Sequence, residues 1–164
     1  MPRANNSQQP VIRALLRALE QAYDHSAWHG TNLRGSVRGL TAARALWRPA
    51  PGRHNIYEEV LHAAYWKYAV RRNLLGEKRG AFPIKGSNWF AAPNSAAEKD
   101  WKQAVALMDL EHKALCAAVE SFPAARLRRP MKGTKWLPLD RILGIALHDV
   151  YHAGQIQMLK RLQK

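Results

Sequence analysis

The stretch LDRILGIALHDVYHAGQIQMLKRL, residues 139–162, decides the fold. Ile145, His148, His152, Ile156 and Leu159 repeat at steps of three and four, the period of one helix face. The segment predicts a long amphipathic helix that turns two imidazoles toward a core. On a helix, positions four apart lie about 40° apart around the axis and one turn apart along it, so both rings can reach one point. An imidazole buried without a partner costs about 1–3 kcal/mol, so a core-facing pair needs polar company.

Working outward, the pattern stays helical. Trp101, Val105, Met108, His112, Leu115, Val119 and Phe122 form a second seam, stopped by Pro123. Ser95 and Glu98 have capping-box spacing for its start. Residues 56–75 are apolar or aromatic on several sides, which predicts a deeply packed helix; Asn55 and Glu58 would box its start and Gly76 would end it. Val11, Leu15, Leu16, Leu19 and Tyr23 predict a fourth helix, with Ser7 as cap and Pro10 in the first turn. Leu33, Val37 and Leu40 add one short amphipathic stretch from near Thr31, closed by the punctuation Arg48-Pro-Ala-Pro-Gly52. Residues 77–94 and 124–138 are rich in Gly, Pro and basic residues and read as long connections, the first a place where function is often carried. No strand pattern or fixed-period repeat is present. The expectation is an all-α protein: a four-helix bundle with an additional short helix and long loops, residues 1–164 as a single domain. The loop lengths allow either a simple up-and-down order or crossovers.

Composition narrows the class. The chain has 164 residues, 47% of them hydrophobic, enough for a core without staples, and its single cysteine, Cys116, excludes a disulfide framework and a Cys-rich zinc site. Cys116 itself stands in a helix among alanines and reads as packed. No apolar run is long enough to cross a bilayer and the first ten residues lack a signal-peptide core, so a soluble, cytoplasmic location is expected. The net charge of +14 suggests an anionic partner or substrate, but its runs, Arg71 to Arg79, Arg126 to Lys135 and Lys160 to Lys164, lie at helix ends and in a loop, where a solvated basic surface is the plainer reading. No nucleic-acid recognition motif accompanies them, although Trp89 and Trp136 stand beside basic loops.

Histidine carries the chemical signal. Of seven, His148 and His152 form the helical pair, and His62 is the best third member because it sits mid-helix in the heavily packed second segment. Three neutral imidazoles leave coordination positions open, as catalytic metal sites do. Zinc suits three nitrogens; nickel and iron also accept imidazole. Glu59-x-x-His62 resembles half of a di-iron carboxylate motif, but the last helix has no glutamate between its histidines, which argues against a dinuclear site. Glu58 and Glu59 lie one turn from His62; capping is the simpler role for Glu58, and Glu59 is a candidate base or supporting acceptor. Gln155, one turn after His152, is a candidate ligand-supporting or substrate-contacting residue. His112 reads as a hydrogen-bonded core histidine, with a ligand-orienting role as the alternative. His29, in Trp28-His29-Gly30, is a candidate for the site mouth. Nucleophile elbows, phosphate loops and dinucleotide fingerprints are absent.

The run Trp47-Arg-Pro-Ala-Pro-Gly-Arg-His-Asn-Ile-Tyr-Glu-Glu-Val-Leu-His62, followed by His148-Asp-Val-Tyr-His-Ala-Gly-Gln-Ile156, resembles the DinB superfamily over about residues 10–162. Trp28-His29-Gly30 and the short helix after it are similar to one branch. The resemblance implies a four-helix bundle with a mononuclear metal on three histidines, which fall on His62, His148 and His152. It also implies activities of the S-transferase or isomerase type with a low-molecular-weight thiol as cofactor; the family name refers to induction by DNA damage and not to DNA binding.

The resulting expectation is a metal-dependent enzyme, with a divalent ion (zinc or nickel) on the three histidines, Glu59 and Gln155 supporting catalysis, and water or a thiol as nucleophile acting on a small-molecule substrate. S-transfer is favoured over hydrolysis by family analogy alone. The alternative is a non-catalytic bundle, fixed by its metal, whose basic surface binds an anionic partner or nucleic acid. Bundles often pair through a helix face, so a homodimer is one expectation for assembly.

Overall fold

A computed structural model describes residues 9–80, 82–95, 97–131 and 133–163. They form α1 (Gln9–Tyr23), α2 (Leu33–Ser36), α3 (Ala42–Leu46), α4 (Ile56–Leu75), α5 (Glu98–Glu120), a 3-10 turn (Ala124–Arg126) and α6 (Pro138–Leu162). The four long helices, α1, α4, α5 and α6, make the bundle. No helix among the described residues is long and apolar enough to cross a membrane.

Local chemistry explains most of the boundaries. Asn55 accepts the backbone N–H of Glu58, and the Glu58 carboxylate accepts that of Asn55, closing the capping box of α4. Gly76 ends α4 in the left-handed region at φ 71°, which its missing Cβ permits without strain. The Ser7 cap expected for α1 lies outside the described residues. Two other expectations fail. The stretch after Thr31 is two short helices rather than one, capped by Asn32 and Thr41 and separated at Gly39, whose φ of 71° breaks the helical path. The start of α5 is not boxed by Ser95: its N-cap is Ala97, and the Glu98 carboxylate instead accepts the backbone N–H of Ala42, at the start of α3.

The helix directions position the site. Tyr57 packs on Trp101 near the starts of α4 and α5, and further along Arg71 lies 3.5 Å from Glu111, so these two helices run parallel. Glu59 meets His152 while Lys67 meets Asp149, so α4 and α6 run antiparallel. Around the ring α1 touches α5 and α6, and α4 touches the same two, which puts α1 diagonally across from α4. The bundle is therefore a crossover bundle rather than simple up-and-down. A parallel α4/α5 pair forces residues 76–97 to travel back along the bundle, and this explains the length of that connection. On the way it lays Asn88 and Trp89 over α4.

The core has two layers. One gathers Ile56, Val60, Ala63, Trp101, Met108 and Ile156; the other gathers Leu19, Val70, Leu115, Val119, Ile142 and Ile145. The ion pair of Lys67 with Asp149 is fully buried in this interior, with the Lys67 ammonium 5.0 Å from the Tyr23 ring centroid. Fourteen of the residues of α4 are buried, among them Glu58, Glu59, His62 and Lys67. That polar load inside a packed helix marks where the chemistry lies.

Candidate metal centre

His62, His148 and His152 converge, with one ring nitrogen of each lying within 4.8 Å of the other two. The Nε2 of His148 is 3.2 Å from that of His62 and 3.0 Å from that of His152. The helical pair therefore points as its stripe predicts, and α4 supplies the third ring from across the antiparallel interface.

The opposite nitrogens fix the proton positions. His62 Nδ1 lies 2.9 Å from the carbonyl oxygen of Asn88, which can only accept, so Nδ1 carries the proton and donates. The Nε2 of neutral His62 is then a bare lone pair. His152 Nδ1 lies 2.5 Å from a carboxylate oxygen of Glu59, with both side chains buried, and donates in the same way. In the neutral ring its Nε2 also presents a lone pair. Two lone pairs thus face the Nε2 of His148, whose single proton could satisfy only one of them. A cation satisfies all three rings, so this donor set fits a metal ion. Protonation does not serve instead: burial, followed by the influence of His152, holds His62 down to about 4, and burial, followed by His152 and His62, holds His148 down to about 3. His62 and His148 are therefore neutral at pH 7, as ligation requires.

The surroundings come from two loops. Trp89 is sandwiched between His54 and His62, with centroids 3.6 and 3.8 Å away and planes within 6° and 14° of parallel. Trp66 Nε1 donates to the Asn88 side chain at 2.9 Å, which ties the crossover to α4. Asn88 has φ 66°, the one positive value at a non-glycine among the described residues, a conformation that Asn tolerates better than most. The Glu58 carboxylate is the second anchor: it takes the Arg48 guanidinium, His54 Nδ1 and the N–H of Ala92 besides closing the capping box. Burial works against its charge, but the hydrogen bonds from Arg48 and His54 prevail and hold it down to about 2. The Arg48–Gly52 punctuation thus feeds Arg48 into the start of α4.

Of the other expected residues, Glu59 alone touches a ligand ring among the described residues. Glu59 is in contact with His152, which makes it a positioning residue for that ring. The Gln155 amide donates to the Tyr151 hydroxyl at 3.3 Å, and Tyr151 in turn packs edge-on to His152 at 5.1 Å. His29 is exposed and lines a separate groove with Val150 and Gly154, so it does not form the mouth of this site. His112 is buried in stacked contact with Tyr23 at 3.8 Å and holds none of the three ligand rings. The Cys116 thiol is pushed up to about 11 by burial, which keeps it protonated at neutral pH. Sequence reasoning missed Asn88 as a partner of His62 and missed the clamp of Trp89; the available signal was an aromatic and an asparagine in a long, glycine-punctuated connection.

A cavity of about 240 Å³ opens beside His148, walled by Trp66, Val70, Trp136, Asp140, Arg141, Gly144 and Ile145.

A bundle with three inward histidines, two of them four residues apart on the last helix, defines a class of protein. The family model for the DinB superfamily matches residues 25–156, and the chain belongs to that superfamily. Searches of curated proteins and of solved structures found no match.

Proposed function

We propose that this chain is a metal-dependent enzyme in which His62, His148 and His152 hold one divalent ion, zinc or nickel, and which activates water or a low-molecular-weight thiol toward a small-molecule substrate. The observation that carries the reading is the pair of fixed tautomers: Asn88 and Glu59 each hold an Nδ1 proton and so turn a lone pair toward His148. When bound, such an ion acts as a Lewis acid and lowers the pKa of a thiol or water enough for a nucleophile to exist at neutral pH. Glu59 holds the His152 ring with its Nε2 turned toward the other two histidines. Trp89 covers one face of His62 and limits access of water from that side. Thiol transfer is favoured over hydrolysis by family membership. In that reaction the thiolate sulfur forms a bond to an electrophilic carbon, and the leaving group departs with its electron pair.

Three cations of the basic runs are engaged within the fold. Arg71 is engaged by Glu77 and Glu111, Arg72 by the carbonyl of Glu77, and Lys160 by the carbonyl of Ser36. Metal analysis of the purified protein beside a His148→Ala, His152→Ala double variant tests the centre. Stoichiometric metal in the parent, lost in a variant that keeps its helical circular dichroism, is expected. Loss that unfolds the variant marks a structural ion, and a parent that takes up no zinc or nickel overturns the reading. A screen of thiols against electrophilic acceptors then separates transfer from hydrolysis.

A further inference from the structure

The cavity beside His148 has a composition of its own. Two indoles, Trp66 and Trp136, and the aliphatic Val70 and Ile145 make it apolar, while Arg141 and Asp140 are its charged lining residues. The two charges are not paired with each other. Asp140 accepts the backbone N–H of Leu137, closing the start of α6, and Arg141 has no carboxylate partner among the described residues. Its Nη2 donates to the Thr134 hydroxyl at 3.0 Å, and its Nε is buried with no acceptor among those residues. Burial, and then neighbouring Arg72, work against the Arg141 charge, the position of a cation that lacks its counter-anion. At Gly144 a Cβ would meet nothing within 4 Å, so that side of α6 faces open space. The volume of about 240 Å³ lies below the range of about 300–1,000 Å³ usual for drug-sized ligands, and suits a small molecule.

We propose that this cavity is the substrate pocket of the His148 site and takes a small organic carboxylate, its acid group on the Arg141 guanidinium and its apolar body between Trp66 and Trp136. The N–H groups of the Arg141 guanidinium beyond the one held by Thr134 are charged donors, and a carboxylate accepts charge-assisted hydrogen bonds from them. The apolar walls favour a body that is aromatic or branched aliphatic, and His148, which also lines the cavity, sets that body beside the three-histidine centre. The assignment rests on the reading of His148 as a ligand only for the word substrate; the recognition of the acid stands on Arg141.

Phenylacetate, and the uncharged 2-phenylethanol as its control, test this by quenching of tryptophan fluorescence and by calorimetry, on zinc-loaded and zinc-free protein with the zinc content measured in each. Phenylacetate is expected to bind the parent at least about tenfold more tightly than the alcohol, to weaken about tenfold or more in Arg141→Gln, and to recover part of that in Arg141→Lys. Gly144→Leu, which fills the cavity from a position clear of other side chains, is expected to abolish binding with zinc content unchanged. Equal binding of acid and alcohol, or parental affinity in Arg141→Gln, overturns the proposal, as does an absence of phenylacetate binding. Binding that survives Arg141→Gln and requires zinc places the acid on the metal and also overturns it. A protein that holds no zinc yet binds phenylacetate through Arg141 supports the pocket and defeats the metal reading alone.

Discussion

At the scale of single residues, the centre depends on which nitrogen of each ring bears a proton, and two groups outside the ring cluster decide this. Glu59 is the more consequential. It comes from the same helix as His62 but acts on His152, so one carboxylate couples the two helices that share the site. Substituting Glu59→Gln keeps the volume and one acceptor but removes the negative charge that polarises the imidazole. Metal affinity is expected to fall about 10–100-fold, as it does when such supporting partners are lost. Competition against a chelator of known affinity, beside thermal melting of the apo protein, measures this; unchanged affinity would show that Glu59 does not support the ligand. Much of this scale was legible in the sequence. The i, i+4 histidines fall on an apolar stripe, and Glu59 lies within one turn of His62. Gln155 shares nearly the same stripe, yet its amide bonds Tyr151, because spacing along a helix sets the azimuth of a side chain and not which of its neighbours it reaches.

At the scale of elements, the segment between α4 and α5 carries what the sequence could not show. Its length is compatible with any helix order, and only the parallel packing of α4 on α5 sends it back past His62. The contact between His62 and Asn88 spans 26 positions with no periodic signal to link them. The failed capping box at Ser95 has a related cause, since Glu98 is drawn to α3, a tertiary partner that local spacing does not encode. The left-handed backbone at Asn88 makes a test. Asn88→Gly retains that conformation and the carbonyl that holds His62 and is expected to keep metal affinity within a few-fold of the parent. Asn88→Val forces a β-branched residue to φ 66°, at a cost of about 1–3 kcal/mol, and is expected to lower both the melting temperature and the metal affinity. Equal behaviour of the two variants would show that backbone geometry at this residue does not matter to the centre.

At the scale of the whole molecule, buried ionisable groups set the response to acid. His112 is held down to about 3, chiefly by burial and then by the Lys67 charge, against an ordinary value near 6.5. Below that ordinary value the unfolded chain takes up a proton that the folded chain refuses, so stability falls as pH drops from about 6.5 to about 3, by up to about 1.4 kcal/mol per pH unit. Glu58 adds a second window of the same sign: its stabilisation is complete above about 4.5 and is lost as pH falls toward its folded value of about 2. Urea unfolding at pH 7.5, 5.5 and 4.5 should show the decline, and His112→Phe, which keeps an aromatic ring to stack on Tyr23, should make it shallower by one histidine's share, His62 and His148 supplying a decline of the same sign in the metal-free protein. A parallel pH dependence in parent and variant would assign the decline to other groups. The architecture at this scale was legible as four helices from periodicity and punctuation, while their directions were not, because direction depends on which faces meet.

The buried pair of Lys67 and Asp149 has a mechanical consequence. Asp149 adjoins His148 in the chain, and Lys67 lies on the helix that carries His62. Apolar side chains interdigitate in more than one register at modest cost, but a slip of α6 past α4 by a turn would strand two unpaired ions away from solvent, a penalty of several kcal/mol. The pair acts as a dowel between two sliding rods, and the alignment of the three rings inherits its tolerance from that pin.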